Sequence, residues 1–361
     1  MKILRPAAIL VSCLLATAGA VAQTPLSPPG AATPPAENKP AANPKAKPPA
    51  VAKKPAAPAA PAPKPTPTPA PAATVTPAPS PDDPNVDLVY GAYQRGQYKT
   101  AFDLATKRAQ ESGDPKAMTM LGELHANGMG ARRDYAKAAE WYKRAADGGD
   151  REAMFALAML RLSGRGGPAN QGEAAKLLAS SAKLGNAKAA YNLALLYLDG
   201  QTLPQDLKRA AELFRIAADA GNPEAQYALA TFYKEGTGVE KNIEKAVRLL
   251  QAASLADNVD AEVEYAIALY NGTGTPKNEA AAVALLRKAA KQNSAIAQNR
   301  LARVLVSGQG APVDKIEGFK WHLVAKTAGK GDPMLDEALA QLSPADRAQA
   351  EAAARRWVGT K

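Results

Sequence analysis

The sequence predicts an all-α protein, a right-handed α-solenoid of stacked helix–loop–helix repeats. Three observations carry that prediction. A 36-residue pattern recurs six times without a gap, over 114–149, 150–185, 186–221, 222–257, 258–293 and 294–329. Within each unit two apolar stripes at helical spacing flank a glycine turn, as in Ala225, Leu229, Ala230, Phe232 and Tyr233, then Gly236-Thr237-Gly238, then Ala246, Leu249, Leu250 and Ala253. The second stripe always opens on a short acid or amide, Asp134, Asn170, Asp206, Asn242, Asn278 and Asp314, side chains that accept from the orphan backbone N–H groups of a helix start. Neither helix of a unit can bury its stripe alone, so the units must stack on one another.

The repeat columns refine this picture. Ala117, Ala153, Ala189, Ala225, Ala261 and Ala297 form one column, and Leu121, Leu157, Leu193, Leu229, Tyr265 and Leu301 another. The next holds only Gly122, Ala158, Ala194, Ala230, Ala266 and Ala302, which predicts close approach of the two helices of each unit there. A larger residue would overpack the contact. The turn glycines are Gly128, Gly164, Gly200, Gly236, Gly272 and Gly308. The pattern A-x-x-x-L-[GA]-x-x-[YL]-x-x-G-x-G followed by [DN]-x-x-K-A, matched closely by Gly236-Thr237-Gly238 and Asp134-Tyr135-Ala136-Lys137-Ala138, resembles Sel1-like repeats, relatives of tetratricopeptide repeats. The resemblance covers 114–329 and implies a scaffold that binds other proteins, with the first helix of each pair lining an inner groove.

The flanks follow in chain order. Residues 1–22 read as an export signal, with Lys2 and Arg5, an apolar stretch from Pro6 to Ala22 and a small-residue cleavage site at Ala20-Val21-Ala22. The expected location is therefore periplasmic or secreted, from a bacterial cell. Two rival fates are an uncleaved membrane anchor and lipidation of Cys13, since Leu10-Val11-Ser12-Cys13 resembles a lipobox. Cys13 is the single cysteine, so cleavage leaves a product without disulfides, unlike some secreted Sel1-like proteins. Residues 23–81 form a Pro/Ala linker with Lys39, Lys45, Lys47, Lys53, Lys54 and Lys64 against Glu37 alone, a composition that predicts disorder biased to polyproline II. At ~3.1 Å per residue it reaches on the order of 180 Å.

The segment 82–113 predicts a capping helix pair with Tyr90, Ala92, Tyr93, Ala101, Phe102, Leu104 and Ala105 on its buried face, joined by the turn Arg95-Gly96-Gln97-Tyr98. Residues 330–361 predict a capping pair of helices, Met334–Leu342 and 344–357, the second opened by Ser343-Pro344-Ala345-Asp346. That makes eight stacked pairs. Of the chain's +11 net charge, Lys2 and Arg5 carry +2 and the linker +5, leaving +4 on 82–361. Basicity belongs to the tail rather than to a folded face, which argues against a nucleic-acid partner.

No catalytic set emerges. His125 and His322 stand at packing positions that other repeats fill with Tyr197 and Tyr233, or with Tyr142, Phe214 and Leu250. The G-x-G motifs lie between helices rather than after a strand, and no nucleophile has a base at motif spacing. The expectation is a non-enzymatic, monomeric protein with no cofactor, no metal and no nucleic acid. Membrane contact is expected only if the N-terminal segment stays attached or Cys13 is lipidated.

The candidate binding surface comes from two columns. Thr119, Phe155, Tyr191, Tyr227, Val263 and Asn299 place three aromatics at successive repeats, and Glu123, Met159, Leu195, Thr231, Ile267 and Arg303 stand one turn further on. Phe155, Met159, Tyr191, Leu195 and Tyr227, with Arg303 beyond them, are the expected partner-binding groove for a protein or peptide, serving a regulatory, signalling or exopolysaccharide and envelope pathway. The competing structural reading is that the aromatics only pack between adjacent helices. The alternative functions are a cell-wall-associated module and a weak enzyme acting on β-lactams or peptidoglycan.

Overall fold

A computed structural model describes residues 87–359 of the chain; the expected signal segment, linker and Cys13 lie outside the described residues. The described part contains sixteen α-helices and no strand. They run α1 (Leu88–Gln94), α2 (Tyr98–Ser112), α3 (Pro115–Asn127), α4 (Tyr135–Asp147), α5 (Arg151–Ser163), α6 (Gln171–Lys183), α7 (Ala187–Asp199) and α8 (Leu207–Asp219), then α9 (Pro223–Glu235), α10 (Ile243–Leu255), α11 (Val259–Asn271), α12 (Glu279–Lys291), α13 (Ala295–Ser307), α14 (Lys315–Thr327), α15 (Pro333–Ala340) and α16 (Pro344–Gly359). From α2 to α14 every helix packs on the one before and the one after it, so the chain is a solenoid built by nearest-neighbour contact.

Local chemistry sets every helix boundary in the repeats. All six predicted second-helix caps are made, for example Asn242 Oδ1 accepting from Lys245 N–H at 2.8 Å and Asp206 Oδ1 from Arg209 N–H at 2.9 Å. The first helices are capped too, by Asp114, Asp150, Asn186, Asn222, Asn258 and Ser294, a column the sequence reading passed over. First helices end on a left-handed glycine at Gly128, Gly164, Gly200, Gly236, Gly272 and Gly308. Second helices are followed by a left-handed residue as well. Where glycine is missing, Asp257 (φ 59°) and Asn293 (φ 71°) take that conformation, and Lys288 Nζ steadies Asp257 at 2.6 Å.

The small-residue column does what its size allows. Facing it across each pair are Tyr142, Leu178, Phe214, Leu250, Leu286 and His322, all buried. A Cβ built on Gly122 would stand 2.5 Å and 2.6 Å from the Tyr142 ring carbons. Glycine there makes room for the Tyr142 ring, while the other repeats carry alanine opposite Leu178, Phe214, Leu250, Leu286 and His322. The second turn glycine has a different job. A Cβ on Gly130, Gly166 or Gly238 would collide with the backbone of Tyr98, Tyr135 or Leu207, at the start of the preceding second helix. In the third repeat Thr202 fills that place, and its hydroxyl donates to Gln171 Oε1 at 2.9 Å, tying the loop to the same neighbour by a side chain.

The two ends depart from expectation. In the N-terminal cap Val89 and Ala92 are buried while Tyr90 is 54% exposed, because residues 89 and 92 share the face that α1 turns to α2. At the C-terminus the stack does not continue as an eighth repeat pair. Helix α14 packs mainly on α16 rather than on the short α15. Trp321 and Trp357 meet edge to face at 5.1 Å, and Lys320 Nζ lies 4.1 Å and 4.8 Å from their centroids. Ala350 and Ala354 are buried beneath them, and Ser343 caps α16 through the Asp346 N–H at 3.1 Å.

The Gly122–Tyr142 contact predicts a size-matched pair. Gly122→Ala should lower stability by about 1–3 kcal/mol in urea unfolding, the clash exceeding the helix-propensity gain of roughly 1 kcal/mol. Adding Tyr142→Leu, which recreates the Ala158–Leu178 arrangement, should restore most of the loss; no recovery would place the strain elsewhere.

Candidate partner-binding face

The first helices present residues to one another along a common row, and polar side chains bridge successive repeats there. Thr119 Oγ1 donates to Asp150 Oδ1 at 3.0 Å, Lys234 Nζ pairs with Glu264 at 3.1 Å, and Asn299 Nδ2 donates to Lys330 O at 3.0 Å. Between these bridges, in the middle repeats, the row turns apolar and aromatic. Phe155 on α5, Tyr191 on α7 and Tyr227 on α9 are all half-buried. The Tyr191 ring sits 5.7 Å from Phe214, which in turn meets Phe232 at 5.4 Å, so the outer aromatic rests on an inner aromatic stack. Tyr227 packs over Ala230, Ala246, Leu250 and Ala253.

The predicted residues therefore divide. Phe155, Met159, Tyr191 and Tyr227 keep part of their surface open. Leu195 does not: at 7% exposure it belongs to the core. Thr231, one repeat on, is equally buried, and its hydroxyl is returned to Tyr227 O at 3.2 Å. Arg303 lies beyond the aromatic row, where its Nε donates to Asp332 Oδ2 at 2.5 Å. Asp332 is buried and starts α15, so Arg303 helps hold the C-terminal cap.

Electrostatics single out the same stretch. Burial pushes the Tyr191 phenol up to about 12, with the Glu224 carboxylate adding to the effect. Tyr227 is raised further, by burial first and then by Glu264, Asp260 and Glu235. Asp260 is itself raised above the ordinary carboxylate range by burial and by Glu264. An acidic rim thus follows the tyrosines, and no cation of the described residues pairs with Glu224 or Asp260. The rim is hard to see in the sequence because the column of Glu224 and Asp260 mixes Glu152 with Lys116 and Lys188, and that of Glu264 also holds Ala228 and Arg300.

Both histidines are buried at the packing positions their columns indicated. His125 stands edge-on to Phe102 at 5.4 Å. His322 is fully buried with Nε2 2.9 Å from Asp336 Oδ1. Lys326 and His322 hold the Asp336 carboxyl below its usual range. Among the described residues no three His, Cys, Asp or Glu side chains converge to hold a metal ion, and no helix is long and apolar enough to cross a membrane.

Capped helix pairs of one length, stacked by a small-residue column and joined through side chains of their first helices, define a tandem-repeat solenoid of the protein-interaction type. The chain belongs to the Sel1 repeat family, whose profile matches residues 115–150, 151–186, 187–222, 223–258, 259–294 and 295–330. Repeats of this family commonly serve as protein–protein interaction scaffolds. Similar solved structures include a Sel1 repeat protein from Oxalobacter formigenes, 24% identical over 66% of this chain and 94% of that one, with a TM-score of 0.56. Another is c5321, a protective antigen of uropathogenic Escherichia coli strains displaying an SLR fold, 25% identical over 74% of this chain and 67% of that one, with a TM-score of 0.54. Among curated proteins none matches the chain.

The raised tyrosines predict an alkaline signature. Their folded-state pKa values exceed the unfolded value, so their contribution to stability is complete below pH ~10 and is lost as pH rises toward about 12 for Tyr191. Spectrophotometric titration at 295 nm should show late-ionising groups, one of which is lost in Tyr191→Phe while that of Tyr227 remains. Ionisation of all tyrosines in one step near pH ~10 would show that the row is open to water.

Proposed function

We propose that this chain is an exported, non-enzymatic scaffold whose first-helix face binds a protein or peptide partner that brings both apolar and basic side chains. The observation that carries this reading is the coincidence of a half-buried aromatic row, Phe155, Tyr191 and Tyr227, with two carboxylates, Glu224 and Asp260, that pair with no cation among the described residues. The Asp260 carboxyl is raised by its surroundings and by Glu264, and a partner's lysine or arginine would relieve that crowding of negative charge. The aromatic rings supply flat, rigid area with little side-chain entropy to lose, as suits a docking surface. The rim also sets the sign of the partner's charge, which governs encounter rate and selectivity more than total affinity.

Export is part of the proposal and rests on the composition of residues 1–22. An envelope location would place the scaffold where a regulatory or assembly partner meets it without competition from cytoplasmic chains. The basic linker would then act as a spacer between the export signal and the solenoid.

Charge reversal tests the face without disturbing the aromatic packing. Chemical crosslinking of the full chain in its native envelope should yield one dominant protein adduct. Glu224→Lys with Asp260→Lys should reduce that adduct at least tenfold while leaving the melting temperature within a few degrees of wild type. An undiminished adduct in the charge-reversed chain would move the interaction to another surface.

A further inference from the structure

A second site stands apart from the aromatic row, where the N-terminal cap meets the first repeat. A pocket of about 570 Å³ opens there, lined by Phe102 of α2, His125 of α3, Arg132, Arg133 and Asp134 of the following loop, and Lys137 of α4. Its volume lies within the range of small-molecule sites. The same crevice recurs deeper in the stack, lined by Lys208, Ala211, Glu212, Arg215 and Tyr233. There Glu212 offsets the cations and forms an ion pair with Arg209 at 2.8 Å. At the first repeat the corresponding acid, Asp103, lies outside the lining and pairs with Lys99. Asp134, the one carboxylate in the lining, is spent as the α4 cap, accepting from the Lys137 backbone N–H at 3.0 Å.

Asp134 keeps its negative charge beside Lys137 and His125, so the lining sets three cations against one carboxylate. Arg133 gives one Nη to the Asn127 carbonyl at 3.2 Å, and no carboxylate of the described residues pairs with Arg132, Arg133 or Lys137. The dibasic step is peculiar to this loop: the residues matching Arg132 are Pro168, Pro204, Glu240, Pro276 and Pro312. Beneath the cations lies His125, only 7% exposed, with an Nδ1 that has no hydrogen-bond partner. Buried polar atoms are almost always satisfied, so an orphaned imidazole in the lining of a cationic pocket marks a missing partner. Phe102 closes one side with an apolar wall.

We propose that this pocket binds a phosphate group, either free or as a small ester. Three cations meet a dianion better than a monovalent carboxylate, and arginine forks match phosphate oxygens in pairs. The His125 Nδ1 is enclosed and makes no hydrogen bond, so a turn of the ring toward the pocket supplies a further N–H. Two sources share this chemistry, inorganic phosphate and a phosphomonoester whose body packs on Phe102.

The chain has two histidines, so ring resonances report the site directly. The full chain is titrated with inorganic phosphate and, separately, with phenyl phosphate at constant ionic strength, and the His125 signal is identified by its absence in His125→Gln. Saturable movement of that signal, with His322 unmoved, is the expected result. Arg132→Gln with Arg133→Gln should weaken binding at least tenfold, and it leaves the six linker lysines in place as a control for tail binding. Equal affinity for the two probes assigns free phosphate, and tighter binding of phenyl phosphate assigns an ester. A shift that never saturates, or one that is identical in the double variant, overturns the proposal.

Discussion

Close approach of two helices at a column of glycine and alanine is the contact on which the rest of this structure depends. Each helix in the repeats has thirteen residues, too few to be stable alone in water, and each is amphipathic. A first helix buries Leu121 or Leu229 only by lying against its neighbours, and the approach within a pair needs a small residue between the axes. Gly122 leaves room for the Tyr142 ring, and alanine fills the same column in the other five repeats. Once that pair exists it offers a new apolar face to the next, and stability propagates from neighbour to neighbour.

The same constraint positions the function. Stacked first helices bring equivalent positions of successive repeats side by side, so residues 36 apart become a row. A row of one residue type would give a uniform surface. Here Thr119 and Asn299 at its ends make polar bridges to the next repeat, while Phe155, Tyr191 and Tyr227 in its middle do not. The solenoid supplies a rigid ruler, and sequence variation within one column decides which part of it is sticky.

Much of this was legible in the sequence, for physical reasons. Caps and left-handed glycines act within a few residues of themselves, so Asn242 and Gly236 announce a helix start and stop with no knowledge of the fold. Repetition multiplied each weak local signal by six. What stayed hidden depends on distances between repeats. Leu195 shares a column with the half-open Met159, yet is buried. Arg303 finds Asp332 only because α15 begins beside it. The lodging of α16 on α14 depends on Trp357 reaching Trp321 and Lys320, three residues whose spacing carries no periodic signal. The pocket above His125 arises where a repeat meets a cap, and it is invisible to any single column.

The central claim is that the first-helix face, not the second, receives the partner. Site-specific photocrosslinking tests it most directly. A photoreactive amino acid is placed in turn at Glu224 on α9 and at the exposed Arg248 on α10, and each full chain is irradiated in its native envelope. The account predicts a protein adduct from position 224 and none from position 248. Adducts from 248 alone would place the binding surface on the second helices and contradict it.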